Sequence, residues 1–121
     1  MFNVLTLNNI SEKGLIRFDK EAFNVSDALP QPEAILLRSF KLTPDHATEG
    51  LLAVGRAGAG VNNIPVDAYT DRGIVVFNTP GANANAVKEL VVAGMLLSRR
   101  GIVQGIDYVS GLSEVTDKAA L

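Results

Sequence analysis

The sequence predicts an α/β fold in which a parallel sheet carries helices on both faces, with a flavodoxin-like strand order of 2-1-3-4-5. Two observations support this prediction. Short uninterrupted apolar runs, such as Ala34 to Leu37, are typical of strands buried on both faces of a parallel sheet. The segments between these runs carry helix start and stop signals, as a chain of alternating strands and helices requires. The length of 121 residues suits one such domain.

Each predicted strand is an apolar run bounded by polar residues, proline or glycine. In chain order the strands are Val4–Leu7, Ala22–Val25 at an edge of the sheet, Ala34–Leu37, Leu51–Val54 and Ile74–Phe77. The short helices between them are assigned from their ends: Ser11 caps one that extends toward Phe18, Thr43-Pro44 opens one that Gly50 ends, and Pro65 opens one that reaches Arg72 before Gly73.

A long helix is predicted over residues 83–109, followed by a polar, flexible tail over residues 110–121. The middle of this helix, Leu90 to Leu97, is apolar on every side, so more than one of its faces needs a cover. Exposed apolar patches favour association. We therefore expect a homodimer that forms through this helix.

Composition excludes several classes of function. The formal net charge of −2 argues against general nucleic-acid binding, which usually needs a basic patch. The absence of cysteine fits a reducing compartment such as the cytoplasm. The longest apolar run, Leu90 to Leu97, is shorter than the roughly 18 residues that indicate a membrane span, so no membrane association is expected.

Arginines and a glycine-rich loop follow two of the predicted strands. One strand leads into Arg38 and Ser39, and another leads into Arg56 and the loop Ala57-Gly58-Ala59-Gly60. Ligands of open α/β sheets bind at the carboxyl ends of the strands, and both guanidinium groups and glycine-loop amides bind anions. The sequence thus predicts a site for a small phosphorylated or carboxylated substrate. The alternatives are solvated arginines at strand ends and a tight turn without a ligand.

Two other kinds of site are disfavoured. The loop Gly58 to Asn63 begins like the dinucleotide motif G-x-G-x-x-G, but Asn63 replaces the third glycine and no helix is predicted to start at the turn. His46 is the only histidine and is expected to be an exposed helix residue rather than a catalytic one. A single histidine without cysteines also argues against a transition-metal site.

Three segments resemble the D-isomer-specific 2-hydroxyacid dehydrogenases in residues, order and spacing: Val54 to Asn63, Asp71 to Pro80, and Val87 to Leu90. Within that family, the similarity is greatest to members that oxidise 3-phosphoglycerate with NAD in serine biosynthesis, and it covers about residues 34–108. Two positions depart from the family, since Ala59 stands where many relatives have Thr and Asn62 where many have Asp.

The resemblance implies that residues 1–82 form a substrate-binding domain and that residues 83–109 link it to an NAD-binding domain. It implies substrate contacts by Arg38, Ser39, Arg56 and the backbone of Ala57, Gly58, Ala59 and Gly60, and a place near the nicotinamide for Asn78 and Asn83. The family's catalytic Arg, Glu and His lie on the NAD domain, so we expect a fragment that is inactive alone. A stand-alone module for small anions and a dimerisation module are the alternatives.

Overall fold

The first of two compact units contains the sheet. The computed structural model describes residues 1–112, and the contacts divide the chain into Met1–Ala82 and the residues from Asn83 onward. The sheet has five parallel strands in the order β2-β1-β3-β4-β5, which confirms the predicted topology. The strands are β1 Phe2–Leu7, β2 Phe23–Ser26, β3 Ala34–Leu37, β4 Ala53–Arg56 and β5 Val75–Phe77.

Short helical segments connect these strands. Helix α1 (Glu12–Leu15) joins β1 to β2, helix α2 (Val66–Thr70) joins β4 to β5, and a 3₁₀ turn at Pro44–His46 lies between β3 and β4. The two flanking strands, β2 and β5, lie on opposite sides of the central strands. Because crossovers between parallel strands are right-handed, α1 and α2 lie on opposite faces of the sheet.

The core packs α2 against one face of β3 and β4. Ile35, Leu37, Val54 and Tyr69 are at most 1% exposed. Ile35 pairs with Val54 in the register of the two strands, so their side chains point to the same face. The remaining buried members of this cluster are Leu42, Ala47, Leu51, Ile64 and Ile74.

Several predicted boundaries in this unit are wrong. The strand predicted at Leu51–Val54 begins two residues later, at Ala53, because Leu51 is buried in the turn that precedes it. The amide of Leu51 donates to the carbonyl of Thr48 at 3.1 Å and so closes that turn. The helices predicted after Ser11 and Thr43 are also shorter than expected, at four and three residues.

The second unit contains two helices where the sequence predicted one. Helix α3 spans Ala84–Ser98 and helix α4 spans Ile102–Gly111. Gly101 separates them with a left-handed φ of 58°, a conformation that ends a helix and that glycine adopts readily. Helix α4 also includes the start of the predicted tail, and residues 113–121 of that tail lie outside the described residues. No helix within residues 1–112 combines the length and the hydrophobicity needed to cross a lipid bilayer.

Candidate anion site

Parallel pairing brings the ends of four strands to one edge of the sheet. Leu7 is level with Leu37, and Leu37 is level with Arg56. Gly55 is level with Phe77. The residues that follow these positions therefore leave the sheet at the same edge, and they include Asn8, Arg38, Ala57 and Asn78.

The structure brings Arg56 to the main chain of Arg38. Arg56 Nε donates a hydrogen bond of 3.0 Å to the carbonyl oxygen of Arg38. The same guanidinium lies over Gly58, where a Cβ atom would come within 2.6 Å of Arg56 Nη1. Glycine at position 58 thus leaves the space that this arginine occupies. Arg56 is half-buried as a result, whereas Arg38 is exposed.

The two arginine side chains, expected to share one site, line two separate hollows at this edge. Arg38 and Ser39 line an open groove of about 450 Å³ together with Asn8 and Asn9. Arg56 lines a smaller hollow of about 170 Å³, whose other lining residues are Ile10, Leu36, Gly55, Ala57, Phe77, Asn78 and Thr79. No acidic residue lines either hollow. This edge of the sheet can therefore accept an anion without carboxylate repulsion.

The glycine-rich loop has fewer available amides than the sequence suggests. The amide of Ala57 donates to the carbonyl of Leu37 at 2.8 Å, and the amide of Gly58 donates to the carbonyl of Arg56 at 2.9 Å. Within residues 1–112 no hydrogen bond engages the amides of Ala59 and Gly60. Of the four consecutive amides predicted to hold a carboxylate, these two are available.

Asn78 and Thr79 hold this loop from the end of β5. Asn78 Nδ2 donates to the carbonyl of Ala59 at 2.7 Å, and the amide of Thr79 donates to the carbonyl of Gly58 at 2.9 Å. The Asn78 amide nitrogen, expected near a nicotinamide, is thus engaged in shaping the loop. Asn83, the other residue expected there, belongs to the second unit and precedes α3 without capping it through its side chain.

Two asparagines that sequence reasoning missed hold the segment Arg38 to Phe40. Asn8 Oδ1 accepts hydrogen bonds from the amides of Ser39 and Phe40. Asn63 Nδ2 donates to the carbonyls of Phe40, at 2.7 Å, and Arg38, at 3.4 Å. The one available signal was that Asn8 directly follows a strand, since asparagine tolerates a left-handed conformation better than most residues.

His46 lies in the helical turn Pro44–His46, as expected, but it takes part in a capping box and is partly buried rather than exposed. Its Nδ1 atom accepts a hydrogen bond of 3.1 Å from the Thr43 amide and lies 2.8 Å from the Thr43 hydroxyl. The ring is partly buried and packs edge-on against Phe40, with 5.5 Å between the ring centroids. Among the described residues no group of three His, Cys, Asp or Glu side chains could hold a metal ion.

Sequence comparison relates this chain to a known family. The profile described as "D-isomer specific 2-hydroxyacid dehydrogenase, catalytic domain" matches residues 6–119. The chain belongs to this family. D-3-phosphoglycerate dehydrogenase of Archaeoglobus fulgidus is 44% identical over 79 residues, which are 63% of this chain and 15% of that protein. Hydroxypyruvate reductase of Thermotoga maritima is 39% identical over 79 residues, or 63% of this chain and 26% of that protein.

Solved structures show the same relationship. The NAD⁺-bound 3-phosphoglycerate dehydrogenase of Entamoeba histolytica matches with a TM-score of 0.66 and 27% identity, covering 79% of this chain and 38% of that one. The TT0316 protein of Thermus thermophilus shares the fold, with a TM-score of 0.75 at 24% identity, over 90% of this chain and 40% of its own. The chain spans less than a fifth of the length of the phosphoglycerate dehydrogenases that it matches in sequence.

Proposed function

We propose that this chain provides the substrate-anion site of an NAD-dependent D-3-phosphoglycerate dehydrogenase, which converts 3-phosphoglycerate to 3-phosphohydroxypyruvate in the cytoplasm. One observation supports the proposal: Arg56 Nε donates to the main-chain carbonyl of Arg38, so both residues lie at the same edge of the sheet, where no acidic residue lines either hollow. The names of the relatives in sequence support the choice of substrate.

Each group at the edge has a defined chemical capacity. Arg38 can bind a phosphate or carboxylate through two parallel hydrogen bonds, and the Ser39 hydroxyl can donate a third. The bond from Arg56 Nε to the Arg38 carbonyl holds the guanidinium in place, and the two terminal nitrogens remain as donors. The amides of Ala59 and Gly60 can bind the second acidic group of a metabolite that has both a phosphate and a carboxylate.

Hydride transfer needs groups that the described residues do not supply. The single histidine uses Nδ1 to cap the turn after β3, so it is not positioned as a general base. The loop after β4 does not fit the pyrophosphate of NAD, because Arg56 covers Gly58 and α2 begins only at Val66. We therefore infer that residues 1–112 bind substrate and that NAD binds elsewhere in the parent protein.

The substrate class can be tested by competition between ligands that differ in one group. The chain should bind 3-phosphoglycerate more tightly than D-glycerate, which lacks the phosphate, and the preference should fall as salt is raised. Calorimetric titration of both ligands into the same preparation measures this difference. Equal affinity for the two ligands would contradict the assignment to phosphoglycerate and would favour a relative that acts on an unphosphorylated acid.

A second role for the chain, as a dimerisation module, is supported by the exposure of its helical unit. Leu90, Met95 and Leu96 of α3 are each more than 60% exposed, as is Val103 of α4. We propose that a second copy of the chain covers these side chains, because such a surface favours association. Sedimentation should show a dimer that Leu96→Asp converts to monomer, and a monomeric wild-type chain at high concentration would contradict this role.

A further inference from the structure

The main chain between Arg38 and Phe40 is bonded by side chains from two other elements of the edge. Asn8 Oδ1, beyond the end of β1, accepts hydrogen bonds from the amides of Ser39 at 3.0 Å and Phe40 at 2.5 Å. Asn63 Nδ2, in the loop after β4, donates to the Phe40 carbonyl at 2.7 Å. The amides of Ser39 and Phe40 are therefore not available to a ligand.

The two bonds to Asn8 fix the orientation of its carboxamide. Both partners are N–H donors, so the atom that accepts them must be the oxygen. The amide nitrogen, Nδ2, then has no hydrogen-bond partner within residues 1–112. Asn8 lines the same groove as Asn9, Arg38 and Ser39. Every side chain of that lining can donate a hydrogen bond, and none carries a negative charge.

We propose that Asn8 is a ligand-binding residue of this groove, whose Oδ1 positions the Arg38–Ser39 segment while its Nδ2 donates to the bound anion. The proposal rests on the proposed function, since the same groove would receive the phosphate of the substrate. A phosphate offers acceptor oxygens in several directions and can satisfy Asn8 Nδ2, the Ser39 hydroxyl and the Arg38 guanidinium together. An uncharged hydroxyl cannot accept from all three.

The backbone of Asn8 permits a clean test of this dual role. Its φ of 67° is left-handed, which asparagine, aspartate and glycine tolerate better than other residues. Asn8→Asp keeps the backbone conformation and the acceptor for both amides, but replaces the donor with a negatively charged oxygen. Asn8→Gly keeps the backbone and removes both the acceptor and the donor.

The experiment titrates inorganic phosphate and 3-phosphoglycerate into the 121-residue chain and its variants. Gln31→Glu is the matched control, because it adds the same charge at an exposed residue of a different groove, which Glu33 and Thr48 also line. We expect Asn8→Asp to weaken phosphate binding about tenfold or more and Gln31→Glu to change it less than about twofold. Hydrogen exchange at Ser39 and Phe40 should stay slow in Asn8→Asp and become fast in Asn8→Gly.

The outcomes separate this inference from the proposed function. Unchanged phosphate affinity in Asn8→Asp, with weakened binding in Arg38→Ala, overturns the role of Asn8 and leaves the anion site in place. If Asn8→Asp does not fold, the affinity of Asn8→Gly decides, and a wild-type value overturns the inference. Asn8→Asp can lose phosphate binding while the wild-type chain shows no preference for 3-phosphoglycerate over glycerate. That result supports the role of Asn8 in binding the anion and contradicts the proposed substrate. A wild-type chain that binds no phosphate overturns both.

Discussion

The two compact units of the chain use apolar side chains in opposite ways. In the sheet unit, Leu37 and Val54 are completely buried, whereas in the helical unit Leu90 and Val103 are 75% and 65% exposed. Helices α3 and α4 contain no buried residue. The apolar residues of the first unit therefore form its core. Those of the second unit form an exposed surface that other residues within 83–112 do not bury.

Truncation of matched leucines should show this difference most strongly. Leu37→Ala removes a completely buried side chain and should lower the free energy of unfolding by about 2–5 kcal/mol. Leu97→Ala in α3, where the side chain is 50% exposed, should change it by less than about 0.5 kcal/mol in the monomer. Urea denaturation at low protein concentration measures both values. Equal losses would mean that the helical unit has a core of its own.

Two glycines of the helical unit should respond in opposite directions to alanine. Gly101→Ala places a Cβ on a residue with a φ of 58° and should lower the free energy of unfolding by about 1–2 kcal/mol. Gly94→Ala lies inside α3, where a Cβ meets nothing within 4 Å, and should stabilise the helix by up to about 1 kcal/mol. Circular dichroism during thermal unfolding compares the two. A gain in stability for Gly101→Ala would indicate one continuous helix, as the sequence had suggested.

The sheet unit should lose stability at alkaline pH through Tyr69. Burial raises the pKa of Tyr69 above its ordinary value of 10.0, and the nearby Arg72 offsets part of this increase. The neutral hydroxyl donates a 3.0 Å hydrogen bond to the Thr43 carbonyl. Because the folded-state pKa is the higher one, this stabilisation is complete below pH 10 and is lost as the pH rises through the folded-state value.

Tyr69→Phe is the control for that titration. The substitution should lower the free energy of unfolding by about 0.5–1.5 kcal/mol at neutral pH, because the hydrogen bond is lost. It should also remove the part of the stability loss at alkaline pH that Tyr69 causes. Urea midpoints measured between pH 8 and pH 11 give both quantities. If the two proteins lose stability in parallel above pH 10, Tyr69 does not cause the loss.

The positions of the strands were largely predictable from sequence because local patterns determine them, and their order followed from the common order of flavodoxin-like sheets. Ala34–Leu37 was bounded correctly, since its apolar run stops at Arg38 where the strand stops. The apolar run from Leu51 to Val54 gave a wrong strand start, because an apolar residue can be buried without being part of a strand. Leu51 is buried in a turn. The break at Gly101 was missed because helices tolerate glycine, and only the left-handed conformation shows that the helix ends there.

The charged residues of the site could be proposed from sequence, but the groups that hold them could not. Arg38 and Arg56 stand out as cations at strand ends. Asn8 acts on Ser39 from 31 residues away, and Asn63 acts on Phe40 from 23 residues away, so no local pattern marks either one. The same limit applies to the glycine-rich loop, where the bonds of Ala57 and Gly58 to nearby carbonyls appear only in the folded chain.

The most direct test of the anion site is calorimetric titration of 3-phosphoglycerate into the wild-type chain and three arginine variants. Arg38→Ala and Arg56→Ala should each weaken binding by about 1.5–3 kcal/mol, the contribution of a hydrogen bond to a charged group. Arg17→Ala, which removes an exposed arginine from the loop after α1, should leave the affinity unchanged within about twofold. Equal affinity in all four proteins would contradict an anion site at the carboxyl edge of the sheet.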